Sequence, residues 1–172
     1  MIQVTLKNGA VKEYEENTTA AEVAKLLGGG LFKAVCACKI DGSVCDLRTE
    51  LTKDCTLELL TFEEEEGKKA FWHTASHVLA QAVKRLYPSA KIAIGPAVDN
   101  GFYYDFDVEK PFTQEDLESI EAEMKSIVKS GLALERFTLT PDAAIKLLQE
   151  MEEPYKVELA NEHAQKGEPI SF

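Results

Sequence analysis

Apolar and polar residues alternate with a period of two at the start of the chain, so residues 2–6 and 10–14 read as two short strands. Asn8-Gly9 between them suits a tight hairpin turn, because both positions tolerate positive φ. The period then lengthens. Thr19-Ala-Ala-Glu22 is a capping box that opens a helix with Val23, Leu26 and Leu27 facing inward, and Gly28-Gly29-Gly30 stops that helix ahead of a loop. Strands at 34–40 and near Val44 flank an Asp41-Gly42 turn, and 56–61 forms a closing strand. Hairpin, helix, hairpin and closing strand describe a small α+β unit with one helix across a mixed sheet, the pattern of a ubiquitin-like β-grasp.

Glu63-Glu64-Glu65-Glu66-Gly67 holds no apolar residue and marks a boundary, either as a solvated connector or as the acidic first turn of the next helix. The expected organisation is a β-grasp domain at 1–62, an acidic linker at 63–67 and a second α+β domain at 68–172. The second part opens on the strongest helical pattern in the chain, 71–87. There Phe71, Ala75, Val78, Leu79, Ala82 and Leu86 fall within about a quarter of the circumference, and His73 and His77 fall on the opposite side beside Ala70, Ala80, Gln81 and Lys84. Pro88 prevents continuation, 91–94 reads as a strand, Gly95-Pro96 is a break, and Asp99-Asn100-Gly101 turns into an aromatic strand at 102–108. A helix at 112–130 has Ile120, Met124, Ile127 and Val128 inward and an acidic outer face. A strand at 134–139 follows. Thr140-Pro141 then opens a helix through about 151, a further helical stretch covers 154–166 with Lys156 near its start, and 170–172 reads as the opening of a strand.

Composition changes this picture little. With 172 residues and 45% hydrophobic content the chain can bury a real core. No run approaches 18 apolar residues and the N-terminus lacks a charged start followed by an apolar stretch, so neither secretion nor membrane spanning is expected and the cytoplasm is the expected location. Cys36, Cys38, Cys45 and Cys55 read as small buried apolar residues, since Cys-x-Cys lacks the usual two-residue spacer of a thiolate zinc site. Charge is more informative. The net −11 argues against non-specific nucleic-acid binding by the whole chain, yet its segments divide as −2 over 1–62, −4 over 63–66, +2 over 68–110 and −7 over 111–172. The stretch that holds the two histidines is the one where the local field least opposes an anionic substrate.

His-x-x-x-His brings two Cβ atoms to roughly 5–6 Å, close enough for both rings to serve one ligand. The metalloprotease form of this motif needs Glu after the first His, where Thr74 stands, and two solvated imidazoles on a surface helix remain the alternative. Gly28-Gly29-Gly30 is not followed by Lys-Ser or Lys-Thr, so it is no phosphate-binding loop. Tyr103, Tyr104 and Phe106 read as packing residues, with Tyr104, beside the Gly95-Pro96 bend, able to line a pocket. His163, among Glu162, Lys166 and Glu168, reads as surface.

Taken together, the β-grasp start, the helix His73-Thr-Ala-Ser-His77-Val-Leu-Ala-Gln-Ala and the run Ile94-Gly-Pro-Ala-Val-Asp-Asn-Gly-Phe-Tyr-Tyr-Asp105 closely resemble the N-terminal region of bacterial threonyl-tRNA synthetases. The resemblance spans essentially the whole chain and implies a TGS domain followed by an α+β editing domain that hydrolyses mischarged seryl-tRNA(Thr). It maps His73 and His77 onto editing-site histidines and Lys156 of Pro-Tyr-Lys-Val onto the editing-site lysine. Tyr104, with Gly95 and Pro96, falls on the substrate pocket. His73 is assigned to the attacking water or the ribose hydroxyl, His77 to the terminal nucleotide and Lys156 to charge stabilisation. The family pattern goes on to a Cys-x-x-x-His pair beyond residue 172, so the site is expected to be incomplete in this stretch and the editing domain cut short. The resemblance implies the tRNA(Thr) 3′ end as partner, a homodimer for the full-length enzyme and a monomer for this stretch. It implies no metal or other cofactor here, because ATP and zinc belong to the family's aminoacylation domain. Two rival readings are a non-catalytic interaction module built on the TGS domain and a metal-dependent editing hydrolase of the alanyl type.

Overall fold

A computed structural model describes residues 1–167 and 169–172; Glu168, one of the residues grouped around His163, lies outside the described residues. The chain divides into two compact units, Met1–Thr74 and Ala75–Phe172.

The first unit runs β1 (Ile2–Leu6), β2 (Val11–Tyr14), β3 (Thr18–Thr19), α1 (Ala20–Leu27), α2 (Gly29–Ala34), β4 (Val35–Ile40), β5 (Ser43–Cys45), β6 (Glu50–Leu51) and β7 (Cys55–Thr61). Five strands form one sheet in the order β2-β1-β7-β4-β5, and β3 pairs separately with β6. Within the five-stranded sheet β1 and β7 are parallel, whereas β1–β2, β4–β5 and β4–β7 are antiparallel. This is the expected mixed β-grasp sheet. Thr19 and Glu22 close the capping box: the Glu22 carboxylate accepts from the Thr19 N–H at 2.8 Å, and the Glu22 N–H donates to the Thr19 hydroxyl at 3.2 Å. Val4, Val23, Cys38, Leu51 and Leu57 are the buried centre; of the four cysteines expected to be buried, Cys38 and Cys55 are core residues, whereas Cys36 and Cys45 are only half-buried. Two other local expectations fail. Leu26 is 70% exposed, because α1 lasts barely two turns and its inward side is filled by Ala20, Val23 and Ala24. The glycines do not lead into a loop, since a short second helix starts at Gly29.

Helix α3 (Glu65–Leu86) begins inside the acidic run and carries the chain from one unit into the other. Its start is fixed to the first unit. The Glu64 carboxylate accepts from the Thr61 N–H at 2.8 Å, and a Cβ on Gly67 would overlap the Thr61 carbonyl. The buried face of α3 is turned relative to the expected stripe. Ser76, Ala80 and Val83 are buried along with Ala82, whereas Phe71 is 46% and Leu86 39% exposed. Phe71 instead packs edge-on against Phe62 and Trp72, while Val78 and Leu79 of the expected stripe pack partly buried against the core of the second unit.

The second unit continues with β8 (Lys91–Ile92), β9 (Ala97–Val98), β10 (Gly101–Phe102), β11 (Phe106–Asp107), α4 (Gln114–Ser130), β12 (Thr138–Leu139), α5 (Pro141–Glu150), α6 (Pro154–Gln165) and β13 (Ile170–Ser171). Its core joins Ala82 and Val83 of α3 to Ala90 and to Ile120 and Ile127 of α4. Val128, expected inward, is 69% exposed: Ile127 and Met124 already occupy the inner side of the last turns. The expected aromatic strand at 102–108 is split into β10 and β11, and that at 134–139 shrinks to β12, which pairs with β13. Among the described residues no helix is long and apolar enough to cross a membrane.

Candidate functional site

Residues 91–107 form one antiparallel ribbon whose register changes midway. β8 pairs with β11 through Ile92↔Phe106, and β9 pairs with β10 through Ala97↔Phe102. Between the two pairings Asp105 is bonded to two residues at once: the Ala93 N–H donates to its carbonyl at 3.0 Å, and its own N–H donates to Ile94 O at 2.8 Å. Two residues opposite one is a β-bulge, and it shifts the register so that Tyr104 comes to stand opposite Gly95. There the Tyr104 ring lies flat where a side chain at 95 would be, since a Cβ on Gly95 would fall among its ring carbons. The ring also stacks on Phe106 at 5.0 Å between centroids, and Phe106 meets Phe112, which meets Tyr87. An aromatic row therefore holds Tyr104 from one side and a glycine admits it on the other.

Helix α5 ends in a Schellman motif. The Glu153 N–H donates to Leu148 O and the Glu152 N–H to Gln149 O, both at 3.0 Å, with Glu152 left-handed at φ 56° where glycine is usual. This turn delivers Glu153 inward, with Pro154 setting the first turn of α6. Glu153 is 2% exposed, and its two carboxylate oxygens have separate partners. Oε1 lies 2.8 Å from the Lys84 ammonium of α3, and Oε2 accepts from the Ile92 N–H at 3.3 Å. Lys84 also donates to Ala90 O at 2.9 Å. Two residues after Glu153, the Tyr155 hydroxyl donates to Asp107 of β11 at 2.9 Å. The first turn of α6, which carries Lys156, is thus held by two polar ties.

The sequence-derived site residues take these places. His77 is exposed on α3, two turns before Lys84 on the same face, and His73, also exposed, lies one turn before His77 among the last residues of the first unit. Gly95 and Tyr104 are brought into contact, Pro96 beside them is exposed, and Lys156 is half-buried. Burial, and after it the Glu153 carboxylate, pushes the Tyr104 phenol above its usual 10, so this group stays a neutral hydroxyl that both donates and accepts. A cleft of about 530 Å³ lies between α5 and α6 with Lys91, Gln149, Glu152, Glu153, Pro154 and Val157 in its wall, and none of the sequence-derived site residues lines it. Among the described residues no three or more His, Cys, Asp or Glu side chains are grouped to hold a metal ion.

Sequence reasoning missed Glu153. It sits in a run with Glu150 and Glu152 that reads as solvated surface. The available signal was its place between a helix end and a proline, where a side chain is turned back into the fold.

Comparison with known proteins gives two findings. The family model of the TGS domain matches residues 2–61. The threonine–tRNA ligase of Acetivibrio thermocellus is 58% identical over 172 residues, all of this chain and 27% of that protein. Those of Clostridium botulinum and Caldanaerobacter subterraneus subsp. tengcongensis are 56% and 53% identical over 172 and 169 residues, which is 100% and 98% of the chain against 27% and 26% of theirs. The chain spans about a quarter of the length of the curated relatives it matches. A sequence alike from end to end, led by a TGS domain with its own mixed sheet, makes this chain a homologue of the N-terminal region of the bacterial threonine–tRNA ligases, which are aminoacyl-tRNA synthetases of protein biosynthesis.

Proposed function

We propose that residues 68–172 belong to an editing domain that hydrolyses seryl-tRNA(Thr) within a threonine–tRNA ligase, with the TGS domain at 1–62 and the acidic segment 63–67 before it. The chemical need is general. A pocket built for threonine gains only about 1–3 kcal/mol against serine from one methyl group, a discrimination of about 10–200-fold, and a second pocket too tight for that methyl restores fidelity. The observation that supports the reading is the Tyr104 ring packed against Gly95 and stacked on Phe106, a neutral hydroxyl within reach of the charge of the buried Glu153 that opens the helix of Lys156.

The reaction asks little of the protein, because an ester is already activated. Water adds to the seryl carbonyl carbon and gives up a proton to an imidazole, for which His73 is the candidate. The oxyanion that forms is stabilised by the Lys156 ammonium, and collapse releases serine and the ribose oxygen, which takes the proton back from the imidazole. His77 anchors the terminal nucleotide, and Tyr104, Gly95 and Pro96 bound the space for the aminoacyl group. In this reading no cofactor takes part, the partner is the 3′ end of tRNA(Thr), and the full-length enzyme is a homodimer in the cytoplasm.

The test is deacylation of seryl-tRNA(Thr) and threonyl-tRNA(Thr) by the full-length ligase carrying this chain, with and without chelator. Hydrolysis of the seryl ester alone, insensitive to chelator and lost in His73→Ala or Lys156→Ala, supports the proposal. A rate unchanged in both variants overturns it.

A further inference from the structure

Glu153 is an acid almost wholly removed from water, and its surroundings explain how it is kept there. The ammonium of Lys84 at 2.8 Å and the N–H of Ile92 at 3.3 Å take one carboxylate oxygen each, while Lys84 is itself anchored on Ala90 O at 2.9 Å. A well-packed apolar pair commonly stabilises a core as well as a buried ion pair does, so stability alone is a weak reason for this arrangement. What an ion pair adds is geometry. Both partners must stay in place, because a buried charge left alone is strongly unfavourable.

The pair joins three segments: α3, the strand β8 and the start of α6. Each segment leads over a short, stiff span to a group in the candidate site. His77 is two turns back from Lys84 on one face of a continuous helix. Gly95, three residues past Ile92 and beyond the bulge, receives the Tyr104 ring. Lys156 is less than one turn after Glu153. The Glu153 charge also reaches the Tyr104 hydroxyl.

We propose that Glu153, through Lys84 and Ile92, is a positioning residue for the hydrolytic site: it fixes the His77 face of α3, the Tyr104 ring and the Lys156 ammonium relative to one another. The proposal rests on the editing reading above and goes beyond it in assigning work to two residues that touch no substrate.

The experiment compares Glu153→Gln, Lys84→Met and Lys84→Arg in the full-length ligase carrying this chain, with seryl-tRNA(Thr) hydrolysis as the assay and threonylation as an internal control of folding. Misplacement by about 1 Å lowers a rate about 100-fold, so Glu153→Gln and Lys84→Met are expected to lose kcat on that scale with KM changed by less than about threefold. Lys84→Arg keeps the ion pair and is expected to stay within about threefold of the parent. In Glu153→Gln the Tyr104 phenol, followed by ultraviolet titration, moves down toward its usual value as the Glu153 charge is removed, and the split of kcat from KM together with rescue by Lys84→Arg sets this apart from a merely structural role. If Glu153→Gln loses threonylation as well, Glu153→Asp takes its place, with a kcat fall of about tenfold expected from the shortened reach. Hydrolysis unchanged in the folded variants, a rise in KM alone, or Lys84→Arg as damaged as Lys84→Met overturns the proposal. A parent enzyme that leaves seryl-tRNA intact overturns the editing reading and the proposal with it, and is told apart from the other outcomes by the parent rate alone.

Discussion

Replacing Gly95 by alanine puts a methyl carbon where the Tyr104 ring lies. The added Cβ falls among three ring carbons at distances no non-bonded carbons adopt. Ordinary carbon contacts are about 3.5–4.0 Å, so the ring has to retreat by more than about 1 Å. Its retreat is opposed by the stack on Phe106, worth about 0.5–1.5 kcal/mol, and overpacking of this kind costs about 1–3 kcal/mol. Against these stands the entropy that alanine removes from the unfolded chain, about 0.4–1 kcal/mol. The net expectation is a loss of about 1–3 kcal/mol from the second unit. It is read by denaturant unfolding followed through near-ultraviolet circular dichroism of tyrosine, since Tyr87, Tyr103, Tyr104 and Tyr155 all lie in that unit. The Tyr104 phenol, freed from part of its burial, titrates closer to its usual 10. Gly29→Ala is the control: nothing lies within 4 Å of its added Cβ and it sits in a short helix, so it stabilises by up to about 1 kcal/mol. Gly95→Ala that unfolds with the parent and leaves the phenol titration in place refutes this account of the Tyr104–Gly95 contact.

Gly67→Ala meets the backbone carbonyl of Thr61, which cannot rotate aside as a side chain does, so it is expected to destabilise the first unit by about 3 kcal/mol, read from the fluorescence of the single tryptophan, Trp72. The Asp116 carboxyl is held below its usual 3.8 by the Tyr87 hydroxyl and by the Thr113 backbone and side chain. Its folded value is the lower one, so its stabilisation is fully present above 3.8 and fades as pH falls through that lower value; Asp116→Asn is expected to flatten the acid limb of a urea-midpoint profile. Cys38 is 0% exposed, and burial, helped by Cys45, Asp46 and Cys55, pushes its thiol up to about 12. Iodoacetamide at neutral pH is therefore expected to label Cys38 only as fast as the first unit unfolds, which peptide mass spectrometry measures.

The first unit was legible because its signals are local. Asn8-Gly9, the Thr19/Glu22 box and the alternation of residues 2–6 each depend on neighbours a few places away, and together they leave one economical arrangement of hairpin, helix and closing strand. The second unit gave up its helices by the same means, but not the face that each one buries. A periodicity argument weights Phe71 and Leu86 heavily and counts Ser76 as polar. The structure buries Ser76 completely and leaves both large side chains half in water. Which side of a helix is covered depends on the elements that pack on it, and that is invisible in the helix's own sequence.

The same distinction separates the parts of the candidate site. His73, His77 and the Gly95-Pro96 bend stand out as residue types in unusual company, and Tyr104 follows from the turn next to them. The groups that hold these parts together do not stand out, because Lys84 is an ordinary lysine on an amphipathic helix and Glu153 an ordinary acid in an acidic stretch. What brings the buried Glu153 to the half-buried Lys84 is a left-handed residue, Glu152, at the end of α5. That one φ angle decides whether the next side chain points to solvent or into the fold, and a non-glycine residue gives no sequence sign that it will adopt it. Long-range polar ties of this sort lie more than sixty residues apart along the chain, as Ile92 and Glu153 do, and so they become visible only when the turn that creates them has been seen.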